Sequence, residues 1–255
     1  SLATGDGNLT TAESASAVNA YIEGNVTVVT DGDVNVAAEL GGTVTSRAQA
    51  PDTVVTAVSL GVVKVIATFA QDTVSARIAG NANVNGGSVD VIAVANGTAT
   101  AVAEQPNTTV SGVDGSVIYA EARVDSRNVT SLIGNGATVQ SNGTGIDDGV
   151  NVAAVSSTIL NAYSNHGTSV SLVGVGKYTI QTNVGTHSTI AKIDGTVIAQ
   201  KNIGLSADDS ITASASTSAS QAGLVNVGKS TAASTVDYQT GETSVGADAI
   251  LEARE

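Results

Sequence analysis

The chain has 255 residues, a formal net charge of −13 and 42% apolar side chains, yet only 2% aromatics, no Trp, one Phe, no Cys and no Met. Ten basic residues against 23 acids cannot supply the phosphate contacts of a duplex-binding protein, which argues against nucleic acid and anionic membrane surfaces as partners. The missing thiols exclude disulfides, thiolate metal sites and thiol nucleophiles, and the near absence of rings leaves a core of Val, Ile, Leu and Ala that has to be thin and repeated.

Taken in chain order, one block recurs. It runs over residues 18–28 and 31–38, returns at 74–84 and 86–91, again at 129–139 and 149–154, then at 193–199 and 203–207, and a fifth time from Val245 onward. Its anchors Ile22, Ile78, Ile133, Ile193 and Val245 lie about 52 to 60 residues apart, in the long-period range of repeat architectures. A second block, at 60–65, 111–117, 173–178 and 222–227, precedes each following anchor by roughly 17 to 22 residues.

Within the blocks apolar residues alternate: Val34, Val36 and Ala38 fall on one side, as do Val89 and Val91, and Val150, Val152 and Ala154. A period of two predicts half-buried strands, here of about four to six residues, bounded by Asp-Gly, Gly-Gly, Asn-Gly and Gly-Asn corners. No apolar stripe at helical spacing occurs; even the Ala-rich run 214–220 alternates. Helix content close to nil is expected.

A sandwich would not repeat its own sequence, and propeller blades carry aromatic motifs that are absent. The pattern therefore predicts an all-β fold, a single β-solenoid over residues 1–255 built from four to five degenerate repeats of about 56 residues with a thin Val/Ile/Ala core. The 17-to-22-residue spacing predicts coils of about 19 residues, three to a repeat, and about 13 coils in a rod about 65 Å long. No polar cap is recognisable at either end. The chain is therefore expected to be an excerpt or a building block that joins end to end, its partners being neighbouring coils or copies of itself.

Candidate chemistry is sparse, and no catalytic, cofactor-binding or metal-binding residue is assigned. Asp147-Asp148 and Asp208-Asp209 are the acidic pairs, placed between strands where Asp makes turns. His166 and His187 sit in Ser/Thr/Asn/Gly-rich stretches and are expected to be solvated loop residues. Glycoside hydrolysis needs two convergent carboxylates, and none is visible. Asp31-Gly32-Asp33 resembles part of an acidic turn, but the calcium-binding nonapeptide is missing. Gly223 and Gly228-Lys229-Ser230 match the spacing of a phosphate loop, yet residues 231–236 read as strand, not as the helix that motif needs. The six Asn-x-Ser/Thr sequons, at Asn8, Asn25, Asn96, Asn107, Asn128 and Asn142, follow from an Asn- and Thr-rich composition.

The blocks Gly149-Val150-Asn151-Val152-Ala153-Ala154 and 222–230 resemble the repeat stalks of filamentous-haemagglutinin-like adhesins, large Gram-negative exoproteins that include the leukotoxin-annotated adhesins. The resemblance covers nearly the whole chain. It implies a right-handed parallel β-helix without Cys, an extracellular or cell-surface location, no membrane insertion and no cofactor. It also implies a structural, non-enzymatic role as stalk or fibre shaft, with any host or cell-surface receptor bound elsewhere in the full protein. A self-assembling filament subunit is the alternative, and a β-helical carbohydrate-active enzyme the third.

Overall fold

The computed structural model describes residues 3–49, 54–105, 108–145 and 148–254. Asn107 and Asp147 lie outside the described residues. The described chain forms strands joined by turns and bends, with no helix. In order these are β1 (Ala3–Glu23), β2 (Thr27–Val29), β3 (Val34–Gln49), β4 (Val54–Ala79), β5 (Asn83–Gly86), β6 (Val89–Gln105), β7 (Thr109–Ile133), β8 (Thr138–Ser141), β9 (Gly149–Ile193), β10 (Thr196–Ala199), β11 (Asn202–Val245) and β12 (Ile250–Ala253).

Every pairing is parallel. One sheet has the order β1-β4-β7-β9-β6-β3, with β11 also on β9, and the other runs β12-β10-β8-β5-β2. Strand β9 is long enough to serve two neighbours: residues 150–166 pair with β6 and residues 169–193 with β7. Partners across each pairing are about 52 to 61 residues apart, as in Ile22 beside Ile78, Val89 beside Val150, and Val245 beside Ile193.

The stacking period is therefore the long repeat itself, and the expected layer of about 19 residues is corrected: five layers stack, from Ile22 to Val245, instead of about 13 coils in a rod of about 65 Å. The 17-to-22-residue spacing instead separates two points on the same strand: Leu60 and Ile78 both belong to β4. Five strands, β2, β5, β8, β10 and β12, are as short as three or four residues, but the other seven run to 16–45 residues, far longer than the expected four to six. In β9 and β11, small Ser, Thr, Ala and Gly side chains carry the strand through the stretch between the Val-rich blocks, with a register shift between Ser218 and Ser220.

The five anchors form one column, Ile22–Ile78–Ile133–Ile193–Val245. A second column, Val28–Val84–Val139–Val197–Leu251, runs through the short strands. Like shapes stacked at strand spacing interlock without a large ring, and each fully buried Val or Ile contributes roughly 1.5–3 kcal/mol.

Two apolar clusters result. One is three-sided, between the starts of β3, β6 and β9, the ends of β4, β7 and β9, and the short strands; Val36, Ile78 and Val84 belong to it. The other is two-sided, and includes Val44, Phe69, Ile118 and Ile180. The turns after the first three anchors rely on glycine: Gly24, Gly80 and Gly136 have φ of 88°, 68° and 80°. A Cβ on Gly80 would also meet Gly24 N at 2.9 Å.

Candidate functional site

Between the two apolar clusters lies a polar seam. Six residues before each anchor the column reads Ser16–Asp72–Arg127–His187–Gln239. These positions share the inward parity of the anchors, so Asp72, Arg127 and His187 are carried inside with them. The facing columns, Leu40–Ala95–Ser156–Asp209 and Gly42–Gly97–Thr158–Ile211, come from β3, β6, β9 and β11.

Arg127 is fully buried at 0% exposure. Its Nη2 donates to Asp72 Oδ2 at 2.7 Å and its Nη1 to Thr158 Oγ1 at 2.8 Å. The guanidinium lies over the Phe69 ring, 4.9 Å from its centroid. Room for it exists because residue 97 is glycine: a Cβ there would sit 2.6 Å from Nη2 and 2.9 Å from Phe69 Cζ. Arg127 Nε and Asp72 Oδ1 have no partner among the described residues.

His187 continues the network. Its Nδ1 is 2.9 Å from Asp209 Oδ2, and its Nε2 is 3.1 Å from Thr158 Oγ1 and 3.3 Å from Ser156 Oγ. A carboxylate accepts only, so Nδ1 carries the proton and Nε2 accepts from a hydroxyl. Burial lowers the His187 pKa; Asp209 opposes this and the nearby Arg127 adds to it, with a net lowering.

The order hydroxyl–imidazole–carboxylate is the one that activates a serine nucleophile. Here the hydroxyls are enclosed: Ser156 is 1% exposed, and Thr158 and His187 are 0% exposed. Enclosed in this way, the hydroxyls and the imidazole satisfy one another's hydrogen-bonding groups inside the core.

This corrects two expectations. His187 is buried and His166 nearly so, the latter edge-on to Tyr178 with centroids 5.3 Å apart; neither is a solvated loop residue. Asp208 and Asp209 lie within β11, and Asp209 points inward. The other candidates stand apart from the seam. Asp33 Oδ1 accepts the Ser88 amide at 3.0 Å across a corner, and Asp148 accepts the Gly145 amide. Gly228-Lys229-Ser230 lies in β11, with Lys229 beside Lys177; Lys64 instead pairs with Tyr119. Among the described residues no three His, Cys, Asp or Glu side chains gather as a metal-holding group.

A second polar cluster fills the inside of the bend between the two long faces. Ser169 Oγ donates to Asp114, Ser116 Oγ lies 3.0 Å from Tyr178 Oη, and Gln221 Nε2 donates to Tyr178 Oη at 3.2 Å. On the side of β7 facing away from the apolar core, Tyr119 Oη and Asn183 Nδ2 each donate to Glu121, which is itself buried, at 2.6 Å. Burial opposes ionisation of Glu121, but bonds from Tyr119, Asn183 and Gln181 hold its pKa below the usual range.

Compared with known proteins, the chain matches no family model, no curated protein and no solved structure.

Proposed function

We propose that the chain is a length of right-handed parallel β-solenoid, one coil per long repeat, that serves as a non-enzymatic stalk or shaft segment of a large secreted bacterial adhesin at the cell surface. The observation that carries this reading is the anchor column: five equivalent residues, Ile22 to Val245, stacked in register through the whole described chain. A stack in which each coil contacts only its neighbours gains length by adding coils, which suits a spacer. The enclosed hydroxyls of Ser156 and Thr158 favour a structural over a catalytic role. The likeness of residues 149–154 and 222–230 to adhesin stalks supports the extracellular setting.

Negative-stain electron microscopy over a range of protein concentrations tests this. Discrete short particles, unchanged with concentration, are expected of a stalk segment. Long uniform fibres would instead assign a self-assembling filament subunit and contradict the stalk reading.

A further inference from the structure

The second sequence block builds a surface that the stalk reading leaves unused. Where the chain rounds the bend between its two long faces, inside and outside exchange character. In β9 the inward residues are Ser169, Ser171, Gly174 and Gly176, while Val170, Leu172, Val173 and Val175 are exposed. In β7 the inward residues are Ser111, Asp114 and Ser116, and Val110, Val113 and Val117 face out. The register continues this outer face as rows: Val58, Val113, Val173 and Val225 form one, and Leu60, Gly115, Val175 and Val227 the next. Next to Val225 in the chain, Leu224 is 84% exposed. The result is an aliphatic ridge along the stacking direction, the kind of contiguous exposed patch that marks an interaction site.

The ridge is also the cationic part of an acidic protein. Residues 55–64, 110–119, 170–179 and 222–231 contain a single acid, Asp114, which is buried and bonded to Ser169. They contain three of the ten basic residues: Lys64, Lys177 and Lys229. Lys177 and Lys229 are register neighbours, and neither has an ion-pair partner among the described residues, whereas Arg47, Arg77, Arg123, Arg127, Lys192 and Arg254 all do.

We propose that this ridge docks on an anionic lipid bilayer surface, its Val and Leu side chains entering the headgroup–acyl boundary and its lysines meeting lipid phosphates. An apolar strip edged with ammonium groups is the chemistry of interfacial binding. It modifies the expectation from net charge, since Asp114, the acid within those four segments, is buried. The acidic remainder is repelled by such a surface, which favours approach by the ridge. Pairing two ridges of the same protein would fit less well, because it gathers lysines with no exposed carboxylate to meet them.

Vesicles of equal parts phosphatidylglycerol and phosphatidylcholine, set against pure phosphatidylcholine, test the proposal by co-sedimentation of the intact chain. The protein is expected to bind the anionic vesicles and to release in high salt. Two exposed-site variants, Lys177→Glu/Lys229→Glu and Leu224→Ser/Val225→Ser, are each expected to weaken binding by about tenfold or more, with circular dichroism unchanged. Absence of binding to the anionic vesicles, or equal binding by the wild type and both folded variants, would overturn it. A concentration-dependent dimer in sedimentation velocity that Leu224→Ser/Val225→Ser abolishes, without vesicle binding, would assign the ridge to a second copy instead.

Discussion

Arg127 and His187 occupy equivalent positions in successive layers and share one hydroxyl, that of Thr158, which lies 2.8 Å from Arg127 Nη1 and 3.1 Å from His187 Nε2. The guanidinium can only donate, so the Thr158 oxygen accepts from Arg127 and is free to turn its proton to His187. Asp72 and Asp209 close the two ends. Four layers are thereby tied through their interior by a directional network, which adds register to a core that is otherwise made of interchangeable Val and Ala.

Breaking this network from one side leaves a charge stranded in the core. Arg127→Met is expected to cost about 3–5 kcal/mol, because Asp72 would then be buried unpaired. The double variant Arg127→Met/Asp72→Leu should recover most of that loss. Urea unfolding of the two variants beside the wild type measures both effects.

His187 gives stability a pH dependence. Its folded pKa is lowered by burial, with Asp209 opposing and Arg127 assisting, whereas in the unfolded chain it titrates near ~6.5. Below that pH the unfolded chain binds a proton that the folded chain refuses, so stability falls as pH drops through this range and is level above it. Urea midpoints measured down to about pH 5 should decline, and His187→Gln should make the decline shallower.

Thr189 stands in the column Val18–Val74–Val129–Thr189. It is fully buried, and its hydroxyl has no partner among the described residues. Thr189→Val restores the column's residue type in nearly the same volume, and removing an unsatisfied buried hydroxyl should stabilise the fold by about 1 kcal/mol. A raised thermal midpoint is the expected readout.

Gly97 is the space into which Arg127 fits. Gly97→Ala would set its methyl 2.6 Å from the guanidinium and is expected to cost about 1–3 kcal/mol through overpacking. In an Arg127→Met/Asp72→Leu background, with the guanidinium gone, the same substitution should cost less, and thermal melts of the two pairs give the comparison.

The sequence displays the β-structure and the long repeat openly, because Ile22, Ile78, Ile133, Ile193 and Val245 recur at a near-constant distance and turn out to stack. It misleads on layer length. The block around Leu60 resembles a preceding coil only because one β4 strand both rounds the bend and reaches Ile78, so two similar Val-Gly patterns fall in one layer. Strand length is concealed by Ser/Thr/Asn/Gly-rich runs such as 164–169, whose polar residues suggest a loop around His166 although they lie within β9. The seam is hidden for a different reason: charged residues in a polar stretch are read as solvated, and only the parity of Asp72, Arg127 and His187 with the anchors six residues later shows that they point inward.

Disulfide trapping tests the layer period most directly, because the chain has no cysteine of its own. Thr27 and Asn83 are exposed in-register neighbours on β2 and β5, and adjacent strands about 4.8 Å apart fall within disulfide reach. Thr27→Cys/Asn83→Cys is expected to close to an intramolecular disulfide under mild oxidation, seen as the loss of two hydrogens in the intact mass. Thr27→Cys/Thr45→Cys, spaced close to the shorter period, should stay reduced. Ready closure of the second pair with failure of the first would contradict a stack with one layer per long repeat.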